Sequence, residues 1–380
     1  MKHDVLYLTG ATGFVGGMLL RLCETDESVS KVYTPIRYKH GKSGQERFND
    51  GGFSQFSKAK FISDEENIPR DITLIILCAY NVRFQNAVET IVKDSIVPIL
   101  HILDQCSNLA NIRGICLVST SYVQNPLPYK RSFDNQIPFA LRKYLSATEL
   151  YNRMIQGTLS WEKVKEMYSN DLSDHQMMNC YAFSKHVLEH LIHEKYPNLP
   201  LCILRPSIIA PSRDGTYGHG IRAGLTLFIE LARSPIIRFP MNKGMLDIVF
   251  VDDVGMDILR GASELAQPAS LSKSSGENFH PIYLSTSKSE LYPKSVCKIM
   301  APNVKRFYIQ SEKCRKFLCN IEKLIVKLAY GSRKAKLVQS IYFNYDYVMA
   351  NTWDFEANHD SIDESYLREF FARFYQLSLP

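Results

Sequence analysis

The sequence predicts an α/β protein built on a doubly wound parallel sheet, with a smaller, mainly helical lobe toward its C-terminal end. Three observations carry this. Short apolar runs alternate with helical patterns through roughly the first two-thirds of the chain, the rhythm of strand and crossover helix. The first run, Val5 to Thr9, leads directly into Gly10-Ala11-Thr12-Gly13-Phe14-Val15-Gly16 and a helical stretch. The composition, 45% hydrophobic and 22% charged over 380 residues, is that of a globular chain able to bury a large core.

Strands are expected at Val5–Thr9, Lys31–Ile36, Ala59–Ile62, Ile72–Cys78, Gly114–Ser119, Leu201–Pro206 and Ile248–Val251. Helices are expected between them at Gly16–Cys23, Ala87–Cys106 and Tyr181–Lys195. The last carries Phe183, Val187, Leu188, Leu191 and Ile192 at helical spacing. Right-handed crossovers then put helices on both faces of one sheet, with ligands beyond the carboxyl ends of its strands. Residues 267–281, rich in Ser, Pro and Gly, read as a loop, and the chain from Pro302 onward reads as helical. The expected organisation is a cofactor-binding domain over 1–265, in which 125–178 is a substrate-covering insertion, and a C-terminal region over 282–380.

Several function classes are disfavoured. No run approaches the roughly 18 apolar residues of a membrane span. The first strand follows MKHD at once, leaving no room for a signal core, so a cytoplasmic location is expected. Nine scattered cysteines lack the paired spacing of a zinc site. Cys314 and Cys319, five apart, have no second pair, so no metal is expected. The net charge of +6 is concentrated between Val304 and Leu337, where ten Lys or Arg face only Glu312 and Glu322. Such a patch suits peripheral membrane contact through 304–338, or simple solvation. Nothing supplies a reading helix or stacking platform for nucleic acid.

The glycine turn has a mechanism in its context. Gly10 permits the sharp turn, Gly13 lets backbone amides approach a pyrophosphate, and Gly16 lets the helix pack closely on its strand. Thr9, Thr12, Phe14 and Val15 complete the candidate cofactor loop. After the second strand comes Arg37-Tyr38-Lys39-His40-Gly41-Lys42-Ser43, with no acid between Val29 and Gln45. A dinucleotide site for NAD offers a carboxylate to the ribose there, whereas Arg accommodates a 2′-phosphate, so Arg37 and Lys42 point to NADPH. Cys78, Ala79 and Pro206, at the ends of the fourth and sixth expected strands, are further candidates for cofactor contact.

Tyr181-Ala182-Phe183-Ser184-Lys185 opens a helix downstream of a strand ending Val118-Ser119-Thr120-Ser121. Tyr and Lys four apart share one helical face. A cation beside a phenol favours its ionised form and makes it a better acid. A hydroxyl at the strand end can hold a substrate carbonyl while Tyr181 supplies the proton. Thr120 is the first candidate, with Ser119 and Ser121 as alternatives, and Lys185 both supports Tyr181 and reaches the cofactor.

Together these residues resemble the extended short-chain dehydrogenase/reductases, whose sheet is a Rossmann fold. Further segments are similar to one branch, the fatty acyl-CoA reductases: RYKHGKSGQERF from Arg37, CAYNVRF from Cys78, VSTSYV from Val118, LRPSII from Leu204 and DIVFVD from Asp247. The tail from Tyr342 to Thr352 also resembles that branch. The resemblance favours Thr120 and implies NADPH-dependent reduction of an acyl-CoA or acyl-carrier thioester, through an aldehyde, to a primary alcohol. A reductase of ketones or aldehydes, and a non-catalytic NADP(H) sensor, remain alternatives on the same fold. Asp94 stands where the branch has Asn, which bears on the proton relay around Lys185. The helical stretch Phe317–Leu328, apolar on one side with lysines on the other, could lie on a membrane or pack in the lobe.

Overall fold

Strands that are apolar at nearly every position require cover on both faces. In a computed structural model of the chain, that cover is two separate layers of helix. The structure describes residues 3–64, 66–82, 87–123, 145–168, 179–218, 246–271, 279–287, 289 and 291–300. It also describes 321, 324, 327–328, 331, 353, 355 and 357–375. The tail segment 342–352, most of 304–338 and part of 125–178 lie outside the described residues.

Seven parallel strands form the main sheet: β1 (Asp4–Thr9), β2 (Val29–Pro35), β3 (Ala59–Ile62), β4 (Leu74–Leu77), β5 (Gly114–Val118), β6 (Leu201–Pro206) and β9 (Ile282–Ser285). Their order is β3-β2-β1-β4-β5-β6-β9, the doubly wound arrangement expected from the sequence. Side chains alternate between faces. Leu6, Leu8, Leu74 and Ile76 pack with Leu19 and Leu20 of α1 (Phe14–Thr25), whereas Tyr7, Ile75 and Leu77 pack with residues such as Ile99 and Leu103 on the other side.

Two strand expectations change. Ile248 does not enter the main sheet. β8 (Ile248–Phe250) pairs instead with β7 (Ile208–Ala210) in a separate two-stranded sheet, and Val251 already opens the helix Val251–Arg260. The seventh strand is β9, in the region assigned from sequence to the C-terminal lobe. Its Ile203↔Ile282 to Pro206↔Ser285 register against β6 makes residues 282–285 part of the main sheet.

The expected helix Ala87–Cys106 forms as α-helix from Val88 to Ile91, a π turn from Val92 to Ile96, and α-helix again from Val97 to Cys106. Pro98 has no N–H to return to the preceding turn. The Asp94 carbonyl, four residues earlier, instead accepts from Arg37 Nη1 at 3.5 Å. The helix carrying Tyr181 and Lys185, Cys180–Lys195, is capped by the Asn179 side chain, which accepts from the Ala182 N–H at 2.8 Å. At the far end of the chain, Trp353 and Phe355 are buried and meet Tyr122 edge-on at 5.0 and 5.7 Å, just beyond β5.

Candidate active site

Backbone geometry at the end of β1 explains each glycine of the turn. Gly10 has φ +76°, and a Cβ there would lie 2.8 Å from the Ala79 nitrogen. A Cβ on Gly16 would lie 2.1 Å from the Gly10 carbonyl oxygen, so α1 can sit this close to the turn only with glycine there. Gly13 is the N-cap of α1 and supplies no capping side chain, and no acid lies in the first turn. The amides at Phe14 and Val15 therefore open a helix start suited to an anion. Thr9 acts beneath the turn. Its hydroxyl donates to the Ile76 carbonyl at 3.3 Å and accepts from the Cys78 and Ala79 amides at 3.0 and 3.1 Å, joining the ends of β1 and β4. The Phe14 ring stacks on Tyr217 at 5.8 Å, and the Tyr217 hydroxyl donates to the Phe14 carbonyl at 2.7 Å.

The basic segment after β2 is fixed by a residue that sequence reasoning passed over. Arg47 lies in the helix Gly44–Asp50, whose start carries a capping box between Ser43 and Glu46. Its guanidinium donates to Thr12 Oγ1 at 3.1 Å and to the Arg37 carbonyl at 2.7 Å, tying the glycine turn to the segment after β2. Partial burial, and after it the nearby Arg37 charge, hold the Arg47 guanidinium below its ordinary value. Lys42 is differently occupied. It is exposed and paired with Asp50 at 2.5 Å, which raises its pKa. The signal for Arg47 was its spacing in the S-x-x-E-R start of the helix.

At the carboxyl end of β5 the three hydroxyls separate. Ser119 donates to Glu189 Oε1 and is committed there. The Ser121 hydroxyl is buried and has no hydrogen-bond partner among the described residues, a condition shared by Ser207, next to Pro206. Among the described residues Thr120 Oγ1 makes only long contacts, 3.5 Å to the Pro206 carbonyl and 3.5 Å from the Tyr122 amide. Thr120 and Ser121 thus remain available, and Ser119 does not.

Lys185 reaches this strand end directly. Its ammonium donates to the carbonyls of Val118 at 2.6 Å and Ser119 at 3.1 Å. The side chain is buried, and loss of solvent pulls its pKa from 10.5 down to about 8. One turn earlier Tyr181 is half-buried. Its ring lies 5.4 Å from the Lys185 nitrogen and meets Tyr80 edge-on at 5.7 Å. Cys78, at the end of β4, has its thiol pushed up to about 11 by removal from solvent, so it is a thiol and no ready nucleophile. The Asp94 carboxylate accepts from Asn81 Nδ2 at 3.0 Å, and the Asn81 amide donates to Ser95 Oγ at 2.8 Å.

Sequence reasoning also missed Tyr80 and the buried pair of Glu189 and Arg205 behind Ser119. An arginine inside the apolar run Leu201-Cys202-Ile203-Leu204-Arg205 was the available signal for the pair. Among the described residues no cluster of His, Cys, Asp and Glu is arranged to hold a metal ion, and no helix is long and apolar enough to cross a membrane.

Comparison with known proteins agrees with this architecture. The fold is similar to the terminal R domain of the myxalamid PKS-NRPS biosynthetic pathway, with a TM-score of 0.66 at 16% identity, covering 100% of this chain and 93% of that one. In sequence the chain is similar to fatty acyl-CoA reductase 1 of Homo sapiens, 23% identical over 284 residues, which are 65% of this chain and 52% of that protein. It is also similar to fatty acyl-CoA reductase wat of Drosophila melanogaster, 21% identical over 244 residues, 55% of this chain and 43% of that protein. The chain thus spans about half the length of these curated relatives. The family described as male sterility protein matches residues 8–65 and 62–256, from β1 into the helix after β8. Those residues make up well over half of the chain, and the protein belongs to that family and carries its NAD-binding fold.

Proposed function

We propose that this protein is an NADPH-dependent reductase of fatty acyl thioesters, taking an acyl-CoA or acyl-carrier thioester through the aldehyde to a primary alcohol. One observation carries the reading. Lys185 donates to the Val118 and Ser119 carbonyls, which holds the Tyr181–Lys185 helix against the strand end bearing Thr120, at the carboxyl end of the sheet that also carries the glycine turn. The kinship to proteins named fatty acyl-CoA reductases supports the substrate class.

The residues present fit NADPH. The uncapped start of α1 suits the pyrophosphate, and Arg37 with Arg47 suits the 2′-phosphate. Lys42 lies in the same segment, with its charge balanced by Asp50. Cys78, Ala79 and Pro206 stand at the carboxyl ends of β4 and β6, where such a sheet takes its ligand. When bound, the nicotinamide supplies the hydride to the substrate carbonyl carbon.

Thr120 and Tyr181 then donate hydrogen bonds to the carbonyl oxygen as charge builds on it. Lys185, a buried cation beside Tyr181, lowers the cost of the phenolate that remains once Tyr181 gives up its proton. With a thioester, the tetrahedral adduct collapses and expels the thiolate. With the resulting aldehyde, Tyr181 protonates the alkoxide. No enzyme nucleophile is needed, in keeping with the raised Cys78 thiol.

Residues 1–265 together with β9 form the cofactor-binding part in this reading, and 125–178, which includes the helices Ala147–Ile155 and Trp161–Tyr168, covers the acyl chain. Segment 304–338 rests on an anionic membrane surface, a role supported by exposed Ile321, Leu324 and Leu328 amid its ten basic residues.

The test mixes purified protein with NADPH and acyl-CoAs of graded length and follows cofactor, free thiol and lipid product together. Two NADPH consumed per thiol released, with alcohol formed, is the expected result. One NADPH and a free aldehyde would shorten the sequence to its first step, and absence of thiol release with every acyl-CoA would overturn the reading. Tyr181→Phe is expected to lose at least a hundredfold in turnover, the lower range for removing a general acid.

A further inference from the structure

We infer that Tyr80 is a positioning residue for the Tyr181–Lys185 pair: its ring face holds the Lys185 ammonium, and its hydroxyl fixes the main chain that carries Tyr181. This rests on the reading of Tyr181 and Lys185 as the proton-transfer pair.

Tyr80 lies just beyond β4, in the stretch Cys78-Ala79-Tyr80 whose first two amides are held by Thr9. The Lys185 nitrogen sits 4.6 Å from the centre of its ring, closer than to the ring of Tyr181 itself. The Tyr80 hydroxyl donates to Ser184 Oγ at 2.9 Å, and the Ser184 hydroxyl donates on to the Tyr181 carbonyl at 2.8 Å. One side chain therefore touches the cation and, through one relay, the backbone of the acid. Burial pushes the Tyr80 phenol far above its ordinary range, so it stays a neutral ring and a hydrogen-bond donor at every working pH.

The surroundings of Lys185 show why the ring matters. From β5 it meets two neutral carbonyls, and from the end of β4 the Cys78 thiol and Tyr80. On its own helix Tyr181 precedes it and Glu189 follows one turn later, but the Glu189 carboxylate is bonded to Arg205 and Ser119. Among the described residues no carboxylate pairs with the ammonium. A cation removed from water and without a counter-ion gains more from an aromatic face than an exposed one does. Two rings then help offset the burial that draws Lys185 toward neutrality.

The ring and the hydroxyl can be tested apart. Lysines labelled at 13Cε in the full-length protein report the titration of Lys185, assigned by its loss in Lys185→Arg. Tyr80→Phe keeps the ring and is expected to leave the midpoint in place while lowering turnover severalfold. Tyr80→Leu and Tyr80→Met remove the aromatic face and are expected to lower the midpoint by about one pH unit, with the alkaline limb of kcat/KM moving by the same amount. The Met variant serves if Leu fails to fold. An unmoved midpoint in the Leu or Met variant, or a Phe variant shifted as far as either, overturns the inference about the ring. Full turnover in Tyr80→Phe overturns the part given to the hydroxyl. A midpoint that moves while even the wild type releases no thiol from any acyl-CoA upholds Tyr80 as the keeper of the Lys185 charge. That result overturns instead the catalytic reading on which its wider role rests.

Discussion

Arg205 and Glu189 form a two-point ion pair with neither side chain reaching solvent: Nη2 donates to Oε2 at 2.6 Å and Nε to Oε1 at 3.2 Å. The pair joins β6 to the helix of Tyr181 and Lys185, and Ser119 adds the end of β5 through the same carboxylate. Removing one partner strands a charge in the core. Arg205→Met is expected to cost about 3–5 kcal/mol, whereas Arg205→Met combined with Glu189→Leu recovers most of that loss. Urea denaturation of the single and double variants measures both. A double variant no more stable than Arg205→Met alone would mean that the pair contributes by shape and not by charge compensation.

Two glycines should respond in opposite degree. The Cβ of Gly16→Ala meets the Gly10 carbonyl at 2.1 Å, and the neighbour is backbone, so α1 must move off the turn. The expected outcome is loss of detectable NADPH binding by nicotinamide fluorescence and a drop in Tm. Gly41, at φ +79° in the two-residue turn between Lys39 and Lys42, has nothing near its absent Cβ. Gly41→Ala meets only the backbone penalty, about 1 kcal/mol, and keeps cofactor binding.

Cofactor choice should follow Arg47 as much as Arg37. Because Arg47 is anchored to Thr12 and to the Arg37 carbonyl, it orients the neighbouring cation as well as supplying one. Arg47→Met is expected to weaken NADPH roughly tenfold to a hundredfold, the range of one charge-assisted hydrogen bond, with little change for NADH. Equal losses for both cofactors in a titration would assign Arg47 to the fold alone.

The glycine turn, six of the seven main strands and the Tyr181 helix were legible because each is local: a period, a turn residue, a spacing. β9 was not, since Ile282-Tyr283-Leu284-Ser285 is four residues beside a Ser-rich stretch and becomes a strand only by pairing with β6. Ile248–Phe250 looks like any buried strand, and its separate sheet is a matter of which partner it meets. At the site, Ser119, Thr120 and Ser121 are equivalent as letters. Glu189, 70 residues on, sets Ser119 apart by occupying it and leaves Thr120 and Ser121 both available. Tyr80 gains its meaning only from its contact with Lys185, and the helix-start spacing that marks Arg47 does not reveal its bond to Thr12.

Membrane contact has its own measure. Ile321, Leu324 and Leu328 are exposed and each helical, at positions three and four apart, the spacing of one helical face. The wild type is expected to sediment with anionic vesicles at low salt and to leave them as salt rises, and Leu324→Glu with Leu328→Glu to abolish sedimentation. Equal recovery of both forms in the supernatant at low salt would return this face to solvent.

Lys185 makes stability depend on pH in a direction that can be worked out. Its pKa is drawn down to about 8 in the folded chain from the 10.5 of an unhindered lysine, chiefly by burial. Between those values the unfolded chain binds a proton that the folded chain has released, so this group makes stability rise with pH across the window. Below pH 8 both states are charged and the full cost of burying the cation is present. Above 10.5 both are neutral and the cost is gone. Lys185→Met carries no such charge at any pH, although it also loses the bonds to Val118 and Ser119. That loss is a constant offset. The difference between wild type and Lys185→Met should therefore move in favour of the wild type by about 3 kcal/mol as pH rises from 8 to 10.5. Urea titrations of both proteins without cofactor at half-unit steps read this slope. A difference that stays flat through the window would mean that the ammonium is fully compensated where it lies, and that the folded chain holds Lys185 as a cation at no cost.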